Sequence, residues 1–244
     1  MTGSKVAVVT GGSRGIGRAV AERLAGDGVA VAVGYAASSE AAREIVTAVR
    51  LAGGSAVAVR ADVADPEQVA ALFDRAESEF GGVDIVVTSA GIMRPALIAE
   101  ATDKDFTQQA EVNIRGTFNA LRQAARRVRD GGRIVTLSST TLALNAPGYG
   151  VYNATKGAVE GFVRVLAKEL GSRDVTVNAV APGPVETELF LAGKSASDVE
   201  RLAGLAPQHR IGQPPDIAGA VALLVSPDAG WISGQVVRVN GGAA

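Results

Sequence analysis

Short apolar runs alternate along this chain with longer segments whose apolar positions recur every three to four residues. The runs are Val6–Thr10, Val29–Tyr35, Ala56–Arg60, Val83–Thr88, Arg133–Ser138, Val175–Ala181 and Val236–Val239. They are rich in Val and Ile and bounded by Gly, Asp or Ser, which predicts buried strands. Between them, Arg18–Ala25, Glu40–Ala52, Glu67–Phe80, Asp105–Arg129, Ala154–Gly171 and Asp216–Ser226 carry the helical period. Asp65-Pro66 and Pro214-Pro215-Asp216 mark helix starts, because a first-turn proline loses no hydrogen bond. Alternation of β and α on this scale predicts an α/β fold: one doubly wound parallel sheet of about seven strands, helices on both faces. Glu186–Arg210 breaks the rhythm. It carries Gly193, Ser195 and Ser197 and one short amphipathic patch at Val199–Leu205, and is expected to be an irregular lid.

Composition narrows the chemistry by exclusion. The 244 residues are 47% apolar, enough for one domain with a large core. A net charge of −1 leaves no electrostatic footprint for nucleic acid or an anionic membrane. The chain has no cysteine, so disulfides and thiol catalysis are excluded; this fits a reducing cytoplasm. With His209 as its single histidine, neither a multi-His metal site nor a Ser-His-Asp triad is expected. No apolar run approaches the ~18 residues of a membrane span, and Val6–Val9 is too short for a signal-peptide core.

The first strand runs into a glycine-rich turn, Thr10-Gly11-Gly-Ser13-Arg14-Gly15-Ile16-Gly17, and then a helix. Such a turn lets backbone N–H groups and a helix N-terminus approach a pyrophosphate, the Rossmann-type arrangement. The second strand ends in Val33-Gly-Tyr-Ala-Ala-Ser38-Ser39, with no carboxylate before Glu40. A carboxylate there would bind a ribose 2′-hydroxyl and repel a 2′-phosphate. Without one, Arg14 can supply charge-assisted hydrogen bonds to the phosphate, and Ser38 and Ser39 neutral ones. NADP(H) is therefore expected over NAD(H), which stays open as the alternative.

Tyr152 and Lys156 lie four residues apart in a helical segment, so they share a face. A phenol near pKa ~10 exchanges protons poorly at neutral pH, and a nearby ammonium lowers that value. Ser139, thirteen residues before Tyr152, can hydrogen-bond a substrate oxygen and hold it against the phenol.

Taken with Asp62-Val63, Ala90-Gly91, Asn113 and Pro182-Gly183-x-x-x-Thr187, these motifs resemble the short-chain dehydrogenase/reductase family over essentially the whole chain. They are most similar to 3-oxoacyl-carrier-protein and hydroxynaphthalene-reductase-like members. The resemblance implies that Tyr152 is the general acid in reduction and that Lys156 lowers its pKa and binds the nicotinamide ribose. It implies that Ser139 orients the carbonyl and that Asn113 holds a proton-relaying water. Asp62 and Val63 would contact the adenine end, and Thr187 the nicotinamide amide. It further implies strand order 3-2-1-4-5-6-7, a cofactor half at roughly 1–130, a catalytic half at 131–244, and a homotetramer packed through the Ala154–Leu170 helix. The family commonly has Asn-Asn-Ala-Gly after the fourth strand; here it is Thr88-Ser89-Ala90-Gly91, which removes a brace of the central sheet.

Ketone reduction is the leading activity, on a 3-oxoacyl thioester or a polyketide-like ketone. Alcohol, sugar or steroid oxidation is the alternative, and a silent dinucleotide sensor would be expected to lack Tyr152, Lys156 or Ser139. Tyr149 has the Tyr-x6-Lys spacing of enoyl reductases, but behind Pro147-Gly148 it reads as a loop residue lining the substrate pocket. Ser138 alternates to the other strand face. Met93 and Arg94 are candidates for the substrate entrance, and Trp231 for core or subunit contact. Arg126, Arg127, Arg129 and Arg173 form a basic cluster that is a candidate dock for an acidic acyl-carrier protein.

Overall fold

The computed structural model describes residues 4–244. Its centre is one sheet of β1 (Val6–Thr10), β2 (Ala30–Tyr35), β3 (Ala56–Arg60), β4 (Val83–Thr88), β5 (Val128–Leu137), β6 (Thr176–Pro182) and β7 (Val236–Val239). The order is β3-β2-β1-β4-β5-β6-β7, with every neighbouring pair parallel. The helices are α1 (Gly15–Gly26), α2 (Ser39–Leu51), α3 (Pro66–Phe80), α4 (Asp103–Gln109), α5 (Gly116–Arg127), α6 (Thr141–Leu144), α7 (Gly150–Glu169), α8 (Glu188–Leu191), α9 (Ala196–Ala203) and α10 (Pro214–Leu224).

Strand alternation sorts β1 into two cores. Val6 and Val8 pack with Leu72, Phe73, Ala120 and Val163 of α3, α5 and α7; Ala7 and Val9 pack with Val20, Leu24, Ile45 and Ile217 of α1, α2 and α10. Burial on both faces explains why the strands read as continuous apolar runs. The strand order reverses between β1 and β4, and ligand crevices of doubly wound sheets open at that point, beyond the strands' carboxyl ends.

Helix starts follow the sequence signals. Asp65 caps α3 by accepting from the N–H groups of Glu67 and Gln68, and Asp216 in the first turn of α10 accepts from the Gln213 N–H at 2.7 Å. Three expectations need correction. The helix expected over Asp105–Arg129 is α4, a π-helical turn at Ala110–Arg115, and α5. It ends at Arg127 because Val128 already pairs with Val83; the register then shifts before Arg133 pairs with Ile85. The Glu186–Arg210 lid is not irregular. Thr187 caps α8, and Ser195 with Asp198 forms a capping box on α9, a Ser-x-x-Asp signal present in the sequence. Trp231 is 100% exposed, so it is no part of the core.

Candidate active site

The glycine-rich turn is built by contacts that exclude side chains. Gly11 has φ +63°, and a Cβ there would come within 2.7 Å of the Ala90 backbone; one on Gly17 would lie 2.2 Å from the Gly11 carbonyl oxygen. The turn thus packs against the end of β4 and beneath α1. Where the family's Asn-Asn is replaced, Thr10 braces the sheet: its carbonyl accepts from Ser89 N–H at 3.2 Å and its hydroxyl from Ala90 N–H at 3.4 Å.

A cleft of about 640 Å³ opens above this turn. Its walls include Gly11, Ser13, Arg14, Gly15, Ile16, Ser38, Asp62, Val63, Ala90, Gly91, Ser139, Tyr152, Lys156, Pro182, Gly183 and Thr187. Of the residues expected at the site, Gly17 lies buried under the turn and Asn113 is buried behind Gly91. Beside the glycine-rich turn, the N-termini of α1, preceded by Arg14, and α2, preceded by Ser38, face the cleft without a side-chain cap. Their unfilled N–H groups and positive dipole ends suit an anion at each place. That fits a dinucleotide, with its pyrophosphate on α1 and a 2′-phosphate near α2. Arg14 forms an exposed ion pair with Glu188 of the lid at 3.3 Å, which ties α8 to the turn.

Tyr152 and Lys156 share the cleft face of α7. The Lys156 ammonium lies 5.6 Å from the Tyr152 ring centre and donates to the Leu137 carbonyl at 2.8 Å. Burial brings the Lys156 ammonium down to about 8. The Tyr152 phenol is pushed up to about 12 by burial, which the nearby Ser139 hydroxyl only partly opposes. This is the reverse of the lowering expected from Lys156. In the chain alone, removal from water outweighs the one ammonium, whose hydrogen bond goes to Leu137 instead. Ser138 is distinguished from Ser139 by its partner: its hydroxyl donates to Glu160 of α7 at 2.7 Å.

Asn113 sits in the π-helical turn, a wider turn often found at functional sites. Its Oδ1 accepts from Ile92 N–H at 2.9 Å, and its Nδ2 donates to the Ile92 carbonyl at 2.9 Å and to Thr155 Oγ1 at 3.0 Å. One turn earlier, fully buried Gln109 accepts from Arg94 N–H at 3.2 Å and donates to the Arg94 carbonyl at 3.4 Å. The two amides clamp Ile92 and Arg94 in the irregular segment that follows Gly91. Gln109 was not singled out from the sequence; its place four residues before Asn113 was the available signal.

Tyr149 precedes α7 and lines the cleft, its ring edge-on to Tyr152 at 6.4 Å. Met93 also lines the cleft, whereas the Arg94 side chain turns to Asp105 at 3.7 Å. Leu144, Leu189, Phe190, Leu202 and Leu205 make the outer cleft apolar. The basic cluster is largely neutralised: Arg127 pairs with Asp74 and Glu77, Arg129 with Asp84 and Arg173 with Asp130. Among the described residues there is no cluster that could hold a metal ion, and no helix is long and apolar enough to cross a membrane.

Residues 11–244 match the family model described as enoyl-(acyl carrier protein) reductase. The chain is 42% identical to a versicolorin reductase of Emericella nidulans, over 98% of this chain and 95% of that protein. A short-chain dehydrogenase of Burkholderia cenocepacia, solved with NADP, superposes with a TM-score of 0.92 at 39% identity, covering 98% of this chain and 97% of that one. An angucycline C-6 ketoreductase with bound NADP gives a TM-score of 0.92 at 37% identity, over 98% and 95%. With this agreement along its whole length, the chain belongs to the short-chain dehydrogenase/reductase family of oxidoreductases.

Proposed function

We propose that this protein is an NADP(H)-dependent reductase of bulky, polyketide-like ketones, with Tyr152 as the proton donor. The observation that carries the reading is one cleft in which Tyr152, Lys156 and Ser139 meet the glycine-rich turn and the uncapped N-termini of α1 and α2. Bound nicotinamide supplies the hydride. Ser139 hydrogen-bonds the carbonyl oxygen, and the Tyr152 phenol donates its proton as that oxygen becomes an alkoxide. In the chain alone burial raises the Tyr152 phenol, so bringing it toward its working range falls to Lys156 and the bound cofactor. Lys156 holds the nicotinamide ribose and places its ammonium beside Tyr152. Asn113 and Gln109 hold the segment after Gly91, and Asn113 keeps the proposed role of anchoring a relay water.

Arg14 and Ser38 favour a 2′-phosphate; Asp62 and Val63 take the adenine end, and Thr187 the nicotinamide amide. The apolar outer cleft favours a fused-ring ketone over a sugar, in line with the names of the versicolorin and angucycline relatives. The neutralised basic cluster lends little support to an acyl-carrier partner. Enoyl reduction, the activity in the family model's description, would call on Tyr149, yet it is Tyr152 that lies beside the Lys156 ammonium. The homotetramer remains part of the proposal through the family resemblance, and a cytoplasmic location through the absence of cysteine.

The test is a substrate panel followed by NADPH and NADH oxidation: 2-tetralone, acetoacetyl thioester and crotonyl thioester. Faster turnover of 2-tetralone with NADPH supports the reading. Turnover of the crotonyl thioester alone assigns enoyl reduction instead.

A further inference from the structure

A serine hydroxyl has one proton to give and two lone pairs that can accept. Unless those lone pairs are filled, it can turn and accept where the chemistry needs a donor, and a carbonyl oxygen needs a donor. In this structure Ser139 Oγ accepts from the Thr141 backbone N–H at 3.2 Å and from Thr141 Oγ1 at 2.9 Å. One residue, the first of α6, thus fills the acceptor side of Ser139. The serine proton is left for the cleft, where Tyr152 is its neighbour.

Thr141 is itself anchored to the catalytic helix. Asn153, next to Tyr152 on α7, donates its Nδ2 to the Thr141 carbonyl at 3.0 Å. The preceding threonine has a different duty: Thr140 Oγ1 donates to the Ala181 carbonyl at 3.0 Å and accepts from Asn240 at 3.2 Å, which ties the loop to β6. The sequence Ser138-Ser-Thr-Thr141 does not separate these roles; the hydrogen bonds do.

We propose that Thr141 is a positioning residue of the active site, whose N–H and hydroxyl fix Ser139 as a hydrogen-bond donor to the substrate oxygen or, when no substrate is bound, to the Tyr152 phenol. This rests on the reading of Tyr152 and Ser139 proposed above. Donation into Ser139 strengthens its own donation, because linked hydrogen bonds polarise one another. A stronger donor at Tyr152 stabilises the phenolate, so loss of the Thr141 hydroxyl moves the Tyr152 titration upward. The other groups at the phenol are Lys156 on the same helix and Tyr149 just before it; Arg14, Asp62, Glu188 and Arg201 are the remaining charged side chains lining the cleft.

Thr141→Val keeps the shape and the backbone N–H and removes the hydroxyl; Thr141→Ser restores it. With 2-tetralone and NADPH, Thr141→Val should lower kcat about tenfold, the worth of one hydrogen bond. KM for 2-tetralone and Kd for NADPH should stay within about twofold, as for an interaction made in the transition state. The pH at which 2-tetralol oxidation by NADP+ becomes half-maximal should rise, and Thr141→Ser should recover wild-type behaviour to within about threefold. Ultraviolet titration of the phenolate in the NADP+ complex, taken as the difference from Tyr152→Phe, needs no substrate and should show the same upward move. If the wild-type protein reduces no ketone, the ketone reading fails and this titration alone judges Thr141. An unchanged phenolate midpoint in folded Thr141→Val overturns the proposal. So do equal losses in Thr141→Val and Thr141→Ser, which would assign the residue to packing.

Discussion

Lys156 shows how one residue can serve function against stability. Its ammonium is buried with a single carbonyl partner, and burial holds it near 8 rather than at the ordinary lysine value. Below pH 8 both folded and unfolded chains bind this proton, and the folded state carries the full cost of burying it. From about pH 8 upward the unfolded chain binds more protons than the folded one, so this group makes stability rise with pH. Above about pH 10 the Tyr152 phenol, raised to about 12, acts the other way: the unfolded chain ionises first and stability falls. Lys156→Met should therefore raise Tm at pH 7 in the absence of cofactor by at least ~2 °C and abolish turnover. Calorimetry at pH 7 and pH 9.5 checks it, since the gain should shrink at the higher pH. Arg14 yields a second prediction at this scale. Arg14→Glu should raise the Kd of NADPH at least tenfold and change that of NADH less than about threefold, by loss of a charge-assisted bond to the 2′-phosphate. Equal losses for both cofactors, read by nucleotide fluorescence, would contradict this assignment.

At the scale of elements, the glycine-rich turn is the most constrained piece of chain. Its glycines are required by close backbone approach as well as by positive φ. Gly17→Ala would drive a methyl into the Gly11 carbonyl, from which its Cβ would stand only 2.2 Å. It should cost about 3 kcal/mol and shift the urea midpoint while leaving any residual folded protein poor at binding NADPH. A variant with wild-type midpoint and binding would show that the turn relaxes freely. This turn was legible in the sequence because strand, glycines and helix follow one another without a gap. The π-helical turn was not, because a helix that widens by one residue keeps nearly the same apolar period as one that does not. The lid was read as irregular because α8 and α9 are too short for a period to show, although Thr187 and Ser195 carried their caps in plain view. The early start of β5 was hidden by Gly131 and Gly132, which look like a turn and instead accompany a register shift.

For the whole molecule, a parallel sheet was expected because strands buried on both faces alternate with helices, and its strand order because of the family resemblance. Most residues expected at the site line one cleft, since the topology brings the ends of β1, β4, β5 and β6 to one edge. The hydrogen bonds that orient them were not legible in the sequence, because Gln109 with Arg94, Thr141 with Ser139 and Glu160 with Ser138 join residues by geometry that no spacing encodes. Fold stability rests on the core between the sheet and α3, where Phe73 is fully buried. Phe73→Ala should cost about 3–5 kcal/mol in urea unfolding, by lost burial and the cavity left behind. A cost below about 1 kcal/mol would mean that this layer can collapse around the gap. Sedimentation velocity tests the proposed tetramer.

Proton donation by Tyr152 beside a bound dinucleotide is the step on which the proposed reduction depends. The most direct measurement compares Tyr152→Phe with the wild-type protein for NADPH binding and for single-turnover reduction of 2-tetralone. Kd for NADPH should stay within about threefold of wild type and the rate should fall by ~10²–10⁴, the range of general acid catalysis. A Tyr152→Phe variant that binds NADPH and reduces the ketone within tenfold of the wild-type rate would contradict proton donation by Tyr152.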